Sequence, residues 1–152
     1  MLTTQIESFT ERLGELQQLF PEHWKELAIN QDKVPLDPQY DVYVAREARG
    51  ELLLVTMRED GEIKGYFIGF IAPGMHYRTC LTCTMDIFYI HPDLRAKGMP
   101  GLRLFRAVEK ELRRRGVQRW FAGSKVHADA SALFERLSFE RVEVYYSKWL
   151  GD

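Results

Sequence analysis

The run Ile87-Phe88-Tyr89-Ile90-His91-Pro92-Asp93-Leu94-Arg95-Ala96-Lys97-Gly98-Met99-Pro100-Gly101-Leu102-Arg103-Leu104-Phe105 passes from an apolar strand, through a basic glycine-bearing loop, into an amphipathic helix. Its first residues are aromatic and β-branched, the composition of a buried strand. A loop of this kind turns several backbone N–H groups toward one point at the positive end of a helix dipole. Arg95, Lys97 and Arg103 add side-chain charge. The combination predicts a pyrophosphate cradle, with the strand before it able to pair along an extended ligand arm. One site would hold an anionic head and a long thin tail.

This loop resembles the acyl-CoA-binding motif of the GNAT N-acetyltransferase superfamily, which runs Arg or Gln, two residues, Gly, one residue, then Gly or Ala. Arg95 and Gly98 take its first and fourth positions. The sixth falls on Pro100, which has no N–H to offer. A loop one residue longer gives Gly101 that role, puts Pro100 at or just before the first helical turn, where a missing N–H costs nothing, and aligns Leu102-Arg103-Leu104-Phe105 with the start of the family helix. Further on, Arg114-Arg115-Gly116-Val117 resembles the family's helix-to-strand junction. Ser131-Ala132-Leu133-Phe134-Glu135-Arg136-Leu137-Ser138-Phe139 resembles the stretch written in the family as Ala, Leu-Tyr-Glu-Lys, Leu-Gly-Phe. The resemblance covers Glu51 to Trp149. The N-terminal helical segment and the His-rich approach to the third strand are similar to small acetyltransferases carried by bacteriophages.

The rest of the chain predicts a compatible layout. Ile6, Phe9, Leu13, Leu16 and Phe20 make one helical stripe, with Thr3 or Thr4 as cap, and Pro21 restarts the helix over Glu22 to Ile29. Asp37-Pro38 opens a further helix with Tyr40, Val44 and Ala48 inward, ended by Gly50; the alternation of Val42 and Val44 leaves a strand through Asp41 to Ala45 as the alternative. Strands follow at Leu52–Met57, Ile63–Ile71 and Thr79–Ile90, the first two joined at Asp60-Gly61, a hairpin signal. Then come a helix over Gly101–Arg115, a strand over Val117–Ala122, a helix over Asp129–Leu137 and a closing strand over Glu140–Leu150. The expected fold class is α+β: a GNAT-like mixed, mainly antiparallel sheet flanked by helices, after an N-terminal helical segment, with residues 1–152 as one domain.

The 152 residues are 45% hydrophobic and 28% charged, with a net charge of −1. That is an ordinary globular composition. It gives no bulk electrostatic reason for a nucleic-acid or membrane partner. With no bilayer-length apolar run and no signal-peptide pattern, the expected location is the cytoplasm. Cys80 and Cys83 form a C-x-x-C, yet residues three apart on a strand point to opposite faces and no second pair completes a tetrahedral site, so no metal is expected.

Transfer from a thioester to a lysine-like amine first needs the neutral amine, which costs about 4–5 kcal/mol at pH 7. A carboxylate, directly or through water, is the usual proton acceptor. Asp86, in the strand that feeds the loop, is the candidate base, at the place where some family members carry a Glu. His91 and His76 are runners-up. The family's usual proton donor to the thiolate is a Tyr in the last helix, and that place holds Phe134 here. Tyr146, or its neighbour Tyr145, is the candidate substitute, with plain strand packing as the alternative. The resemblance also implies acetyl-CoA as cosubstrate, held by the backbone of Phe88 and Ile90, by Arg95, Lys97, Gly98, Met99, Gly101, Leu102 and Arg103, and by His127, which stands where the family often has an Asn. The expected reaction is direct acetyl transfer to a primary amine, on a small molecule or a protein. The family often dimerises, so a homodimer is an assembly that the resemblance allows. The rival readings are a catalytically silent acyl-CoA-binding module and an interaction domain that pairs through its N-terminal stripe.

Overall fold

A computed structural model describes residues 1–152. One five-stranded sheet, in the order β1-β2-β3-β4-β5, carries helices on both faces. The elements are β1 (Leu2–Glu7), α1 (Phe9–Leu27), α2 (Tyr40–Ala48), β2 (Leu52–Glu59), β3 (Glu62–Gly74), β4 (Tyr77–Ile90), a single 3-10 turn at Pro92–Leu94, α3 (Pro100–Arg114), β5 (Arg119–Phe121) and α4 (Ser131–Arg136). The first four strands pair antiparallel with their sequence neighbours. β5 returns parallel to β4 after α3. This is the mixed α+β layout the sequence predicts.

The apolar run that opens β2 explains why both faces are covered. Leu53, Val55 and Met57 project into a core with Phe67, Cys83, Leu104, Phe105, Val108 and Phe134. Leu52 and Leu54 project the other way, against Phe9, Leu16, Phe20, Tyr66 and Tyr89. A strand buried on both faces has no reason to alternate apolar with polar residues. On α3, Phe105 stacks on Trp120 at 5.5 Å and meets Phe88 edge-on at 5.0 Å. That helix locks β4 to β5.

Three expectations are corrected. The chain opens with a strand, not with a helix capped at Thr3 or Thr4: Leu2–Glu7 pairs antiparallel with β2, and the Ser8 hydroxyl caps α1 by accepting from the Glu11 N–H. Ile6 only mimics the helical stripe. Its short, Thr-rich surroundings suit an edge strand, and its side chain is exposed. Pro21 does not restart α1, which is continuous through it. The residue lies on the exposed side, and the flanking Phe20 and His23 are buried against the sheet, so tertiary packing offsets the lost backbone bond. Residues 140–150 form no strand and lie exposed, although Val142 and Val144 alternate with charge. Between Asp37-Pro38 and Gly50 the helix forms rather than the alternative strand, beginning at Tyr40.

Candidate active site

Asp86 owes its orientation to an irregularity in β4. Ile87 stands opposite Ile68 and Met85 opposite Gly69, which leaves Asp86 as an extra residue with no partner on β3. Regular alternation would send Asp86 the way of Phe88 and Ile90, beneath α3. The extra residue lets Met85 and Phe88 share the α3 face, while Ile87 and Tyr89 face α1 and α2. A bulge of this kind re-aims a side chain at the cost of one ladder position. Asp86 emerges on the α2 side, where the Tyr43 hydroxyl donates to its Oδ2 at 2.5 Å. Both line a cleft of about 350 Å3 with Asp37, Gln39, Arg46 and Phe70. Burial pushes the Asp86 carboxyl above the usual range, and the Tyr43 hydrogen bond and the Arg46 charge pull it part of the way back. A carboxylate made more basic by burial is suited to taking a proton.

The loop after β4 presents donors. β5 pairs with β4 only over Thr82–Thr84, so the outer edge of β4 beyond Thr84 has no strand beside it. The His91 N–H donates to the Lys64 carbonyl on β3 at 2.7 Å. Backbone groups alternate between the two edges of a strand, so those of Ile90 and Phe88 face the open side. Gly98 and Met99 both adopt left-handed backbone, with φ of 64° and 55°, and α3 then begins at Pro100 with no side-chain cap. The N–H groups of Gly98, Met99, Gly101 and Leu102 consequently have no acceptor in the protein. They sit at the positive end of a helix of 15 residues. At Gly101 a Cβ would come within 3.2 Å of Leu133 Cδ2, so glycine there lets the start of α3 approach α4.

The cationic side chains of this loop are engaged within the protein. Arg95 forms an ion pair with Glu26 at 2.5 Å and donates through Nε to the Ile90 carbonyl at 2.9 Å. Lys97 pairs with Glu59 at 3.0 Å. Arg103 donates to the Leu2 carbonyl at 3.0 Å. His127 is exposed, its Nε2 lying 3.0 Å from the Leu27 carbonyl at the end of α1. Tyr146 is 93% exposed and makes no hydrogen bond to the protein; Tyr145 is equally open. Phe134 is buried among Phe88, Phe105 and Phe139. His91 accepts from the Asp93 N–H, and His76 lies at the exposed tip of the β3–β4 hairpin. Cys80 and Cys83 are free thiols; Cys83 lies in the core, where burial pushes its pKa up to about 12. No group of three or more His, Cys, Asp or Glu side chains is placed to hold a metal ion.

Sequence reasoning missed two participants, Tyr43 and Arg46, and a buried histidine behind β4. Tyr43 falls three residues after Tyr40, a spacing that already put it on the inner face of α2. Arg46 follows three later. His23 was hidden by the expected break at Pro21. It is only 8% exposed, stacks on Tyr89 at 4.9 Å, and holds its Nδ1 2.6 Å from the Tyr66 hydroxyl. Burial pushes its pKa down to about 4.

Residues 15–139 match the model of the acetyltransferase (GNAT) family. No curated protein sequence matches the chain. Among solved structures, a ribosomal-protein-alanine N-acetyltransferase from Brucella melitensis biovar Abortus 2308 superposes with a TM-score of 0.75 at 17% identity, over 100% of this chain and 99% of that one. Glucosamine-6-phosphate N-acetyltransferase from Arabidopsis thaliana gives 0.72 at 12% identity, over 99% of each chain. An acetyltransferase from Clostridium acetobutylicum, solved with acetyl-CoA, gives 0.66 at 13% identity, over 99% of this chain and 97% of that one. At such identities the likeness is one of fold.

Proposed function

The chain belongs to the acetyltransferase (GNAT) family, and from that premise we propose that it moves an acetyl group from acetyl-CoA to a primary amine by direct attack. The observation that carries this reading is the set of unpartnered N–H groups of Gly98, Met99, Gly101 and Leu102, gathered where the outer edge of β4 lies open. Four donors at a helix N-terminus suit the oxygens of a pyrophosphate. The open backbone groups of Phe88 and the Ile90 N–H suit the amides of a pantetheine arm, with His127 as a further polar contact near the end of α1. Arg95, Lys97 and Arg103 add positive potential at the same loop, although each now has a partner of its own.

Bound there, acetyl-CoA supplies the acetyl group as a thioester. Asp86 accepts the proton of the incoming ammonium, directly or through water, so that the neutral amine, which costs roughly 4–5 kcal/mol at pH 7, forms in the site, attacks the thioester carbon and expels the thiolate of coenzyme A. Tyr43 holds the carboxylate in place and keeps it ionised. With Phe134 at the place of the family's Tyr, the thiolate leaves without that acid. A thiol pKa near 8.5 makes this only about 2 kcal/mol unfavourable at pH 7. Tyr146 becomes a proton donor only if residues 140–150 fold inward on binding. No helix is long and apolar enough to cross a membrane. A highly charged cosubstrate that does not cross membranes supports a cytoplasmic location.

The test is release of free thiol from acetyl-CoA in the presence of amines of different classes: spermidine, an aminoglycoside, an alanine-terminated peptide and glucosamine 6-phosphate. Amine-dependent release by the wild type, reduced at least ~100-fold in Asp86→Asn, supports the reading. Release that no amine stimulates overturns it.

A further inference from the structure

Arg46 is the one cationic group of the acceptor cleft, and proton transfer does not use it. Its guanidinium lies over the Phe70 ring at 4.3 Å from the centroid and lines the cleft beside Asp86 and Tyr43. Asp37 lines the same cleft without forming an ion pair with Arg46, and the other acids around it are committed elsewhere. Asp86 accepts from Tyr43. Glu51 is held by Arg49 at 2.8 Å. Glu47 accepts from the Ser8 hydroxyl and from the N–H groups of Phe9 and Thr10. Arg46 thus forms no ion pair. A planar guanidinium laid on an aromatic face is held flat, with its N–H donors turned outward along its edge. Donors in that state favour a carboxylate or a phosphate, which accept two parallel bonds.

We infer that the acceptor is an amine that also carries an anionic group, a carboxylate or a phosphate, and that Arg46 binds this group while Asp86 receives the ammonium. The inference rests on the acetyl-transfer reading and deepens it by naming the substrate class. A cleft of about 350 Å3 takes the head of such a molecule, of amino-acid or amino-sugar size. With the carboxylates of Asp86 and Asp37 and one guanidinium, the cleft offers both signs of charge to a zwitterion, and for a polycation Arg46 is a repulsive element.

Two matched pairs test this, L-phenylalanine against phenethylamine and glucosamine 6-phosphate against glucosamine, with spermidine alongside, in the wild type and in Arg46→Met. The readout is the ratio of kcat/KM within each pair. Removing Arg46 also raises the basicity of Asp86, but that acts on both members of a pair alike. The expected result is a preference of about tenfold or more for the anionic member of at least one pair, erased in Arg46→Met. An equal loss on both members would overturn the inference. So would a wild type that acetylates spermidine but neither anionic amine, and acetyl transfer to amines would then still stand. Thiol release with none of the five amines would remove the acetyl-transfer reading, and this one with it.

Discussion

In the proposed function the site has two halves built from different material. The cofactor half is backbone: four N–H groups around Gly98 and the open edge of β4, positioned by left-handed φ values and by the start of α3. The acceptor half is side chain: Asp86, Tyr43 and Arg46, drawn from β4 and α2 and brought together by one extra residue in a strand. A backbone site tolerates many side chains and fails when a φ value or a close approach is lost. A side-chain site fails atom by atom. The difference sorts the effects of mutation into binding on one side and chemistry on the other.

The sharpest separation comes from Asp86→Asn. It keeps the shape of the carboxyl and removes its basicity, so kcat should fall about 100- to 10,000-fold while acetyl-CoA affinity stays within about twofold. Equal losses in both would show that the halves are not separate. Next is Gly98→Trp. A non-glycine residue at a φ of 64° costs about 1–2 kcal/mol, and calorimetry should show acetyl-CoA binding roughly 5- to 30-fold weaker with kcat at saturation little changed. An unchanged affinity would move the cradle elsewhere.

Smaller in size but more diagnostic is Tyr43→Phe. The Tyr43 hydrogen bond lowers the Asp86 pKa, so its loss raises that pKa. The acid limb of the kcat/KM profile should then shift to higher pH, with a loss of a few fold below neutrality. A limb that stays in place would deny Asp86 the role of base. The smallest effect on catalysis is expected from His23→Gln, at a side chain buried against Tyr66 and Tyr89. His23 has a folded pKa of about 4 against 6.5 when free, so the unfolded chain binds more protons between these values. Stability from this group is whole above pH 6.5 and is lost as pH falls toward 4, by about 3 kcal/mol. The variant should show a shallower fall in unfolding midpoint over that window, and an identical slope would contradict the buried neutral imidazole.

What the sequence made legible follows the same division. The strand, loop and α3 were readable because backbone geometry leaves local marks: β-branched and aromatic residues, a glycine where φ is positive, a proline where a helix begins. Asp86 was readable as a residue but not in its direction, since the bulge depends on the register of β3 against β4. The spacing of Tyr43 and Arg46 from Tyr40 marks a helix face, but only the docking of α2 makes them part of a site. Leu2–Glu7 was misread because Ile6 and Phe9 fall at helical spacing by coincidence, and strand pairing with β2 overrides that stripe. Residues 140–150 have the alternation of a strand but no ladder to join, for β5 is only three residues long. His127 rests on the resemblance and Tyr146 on an expected closing strand as substitute for the family's Tyr, and both sit in exposed chain.

Calorimetric titration of acetyl-CoA into the wild type, Gly98→Trp and Asp86→Asn tests the central claim most directly. The account predicts saturable one-site binding to the wild type, retained in Asp86→Asn and weakened roughly 5- to 30-fold in Gly98→Trp. No binding to the wild type, or a loss shared equally by both variants, would contradict a cofactor site made of backbone and separate from the acceptor cleft.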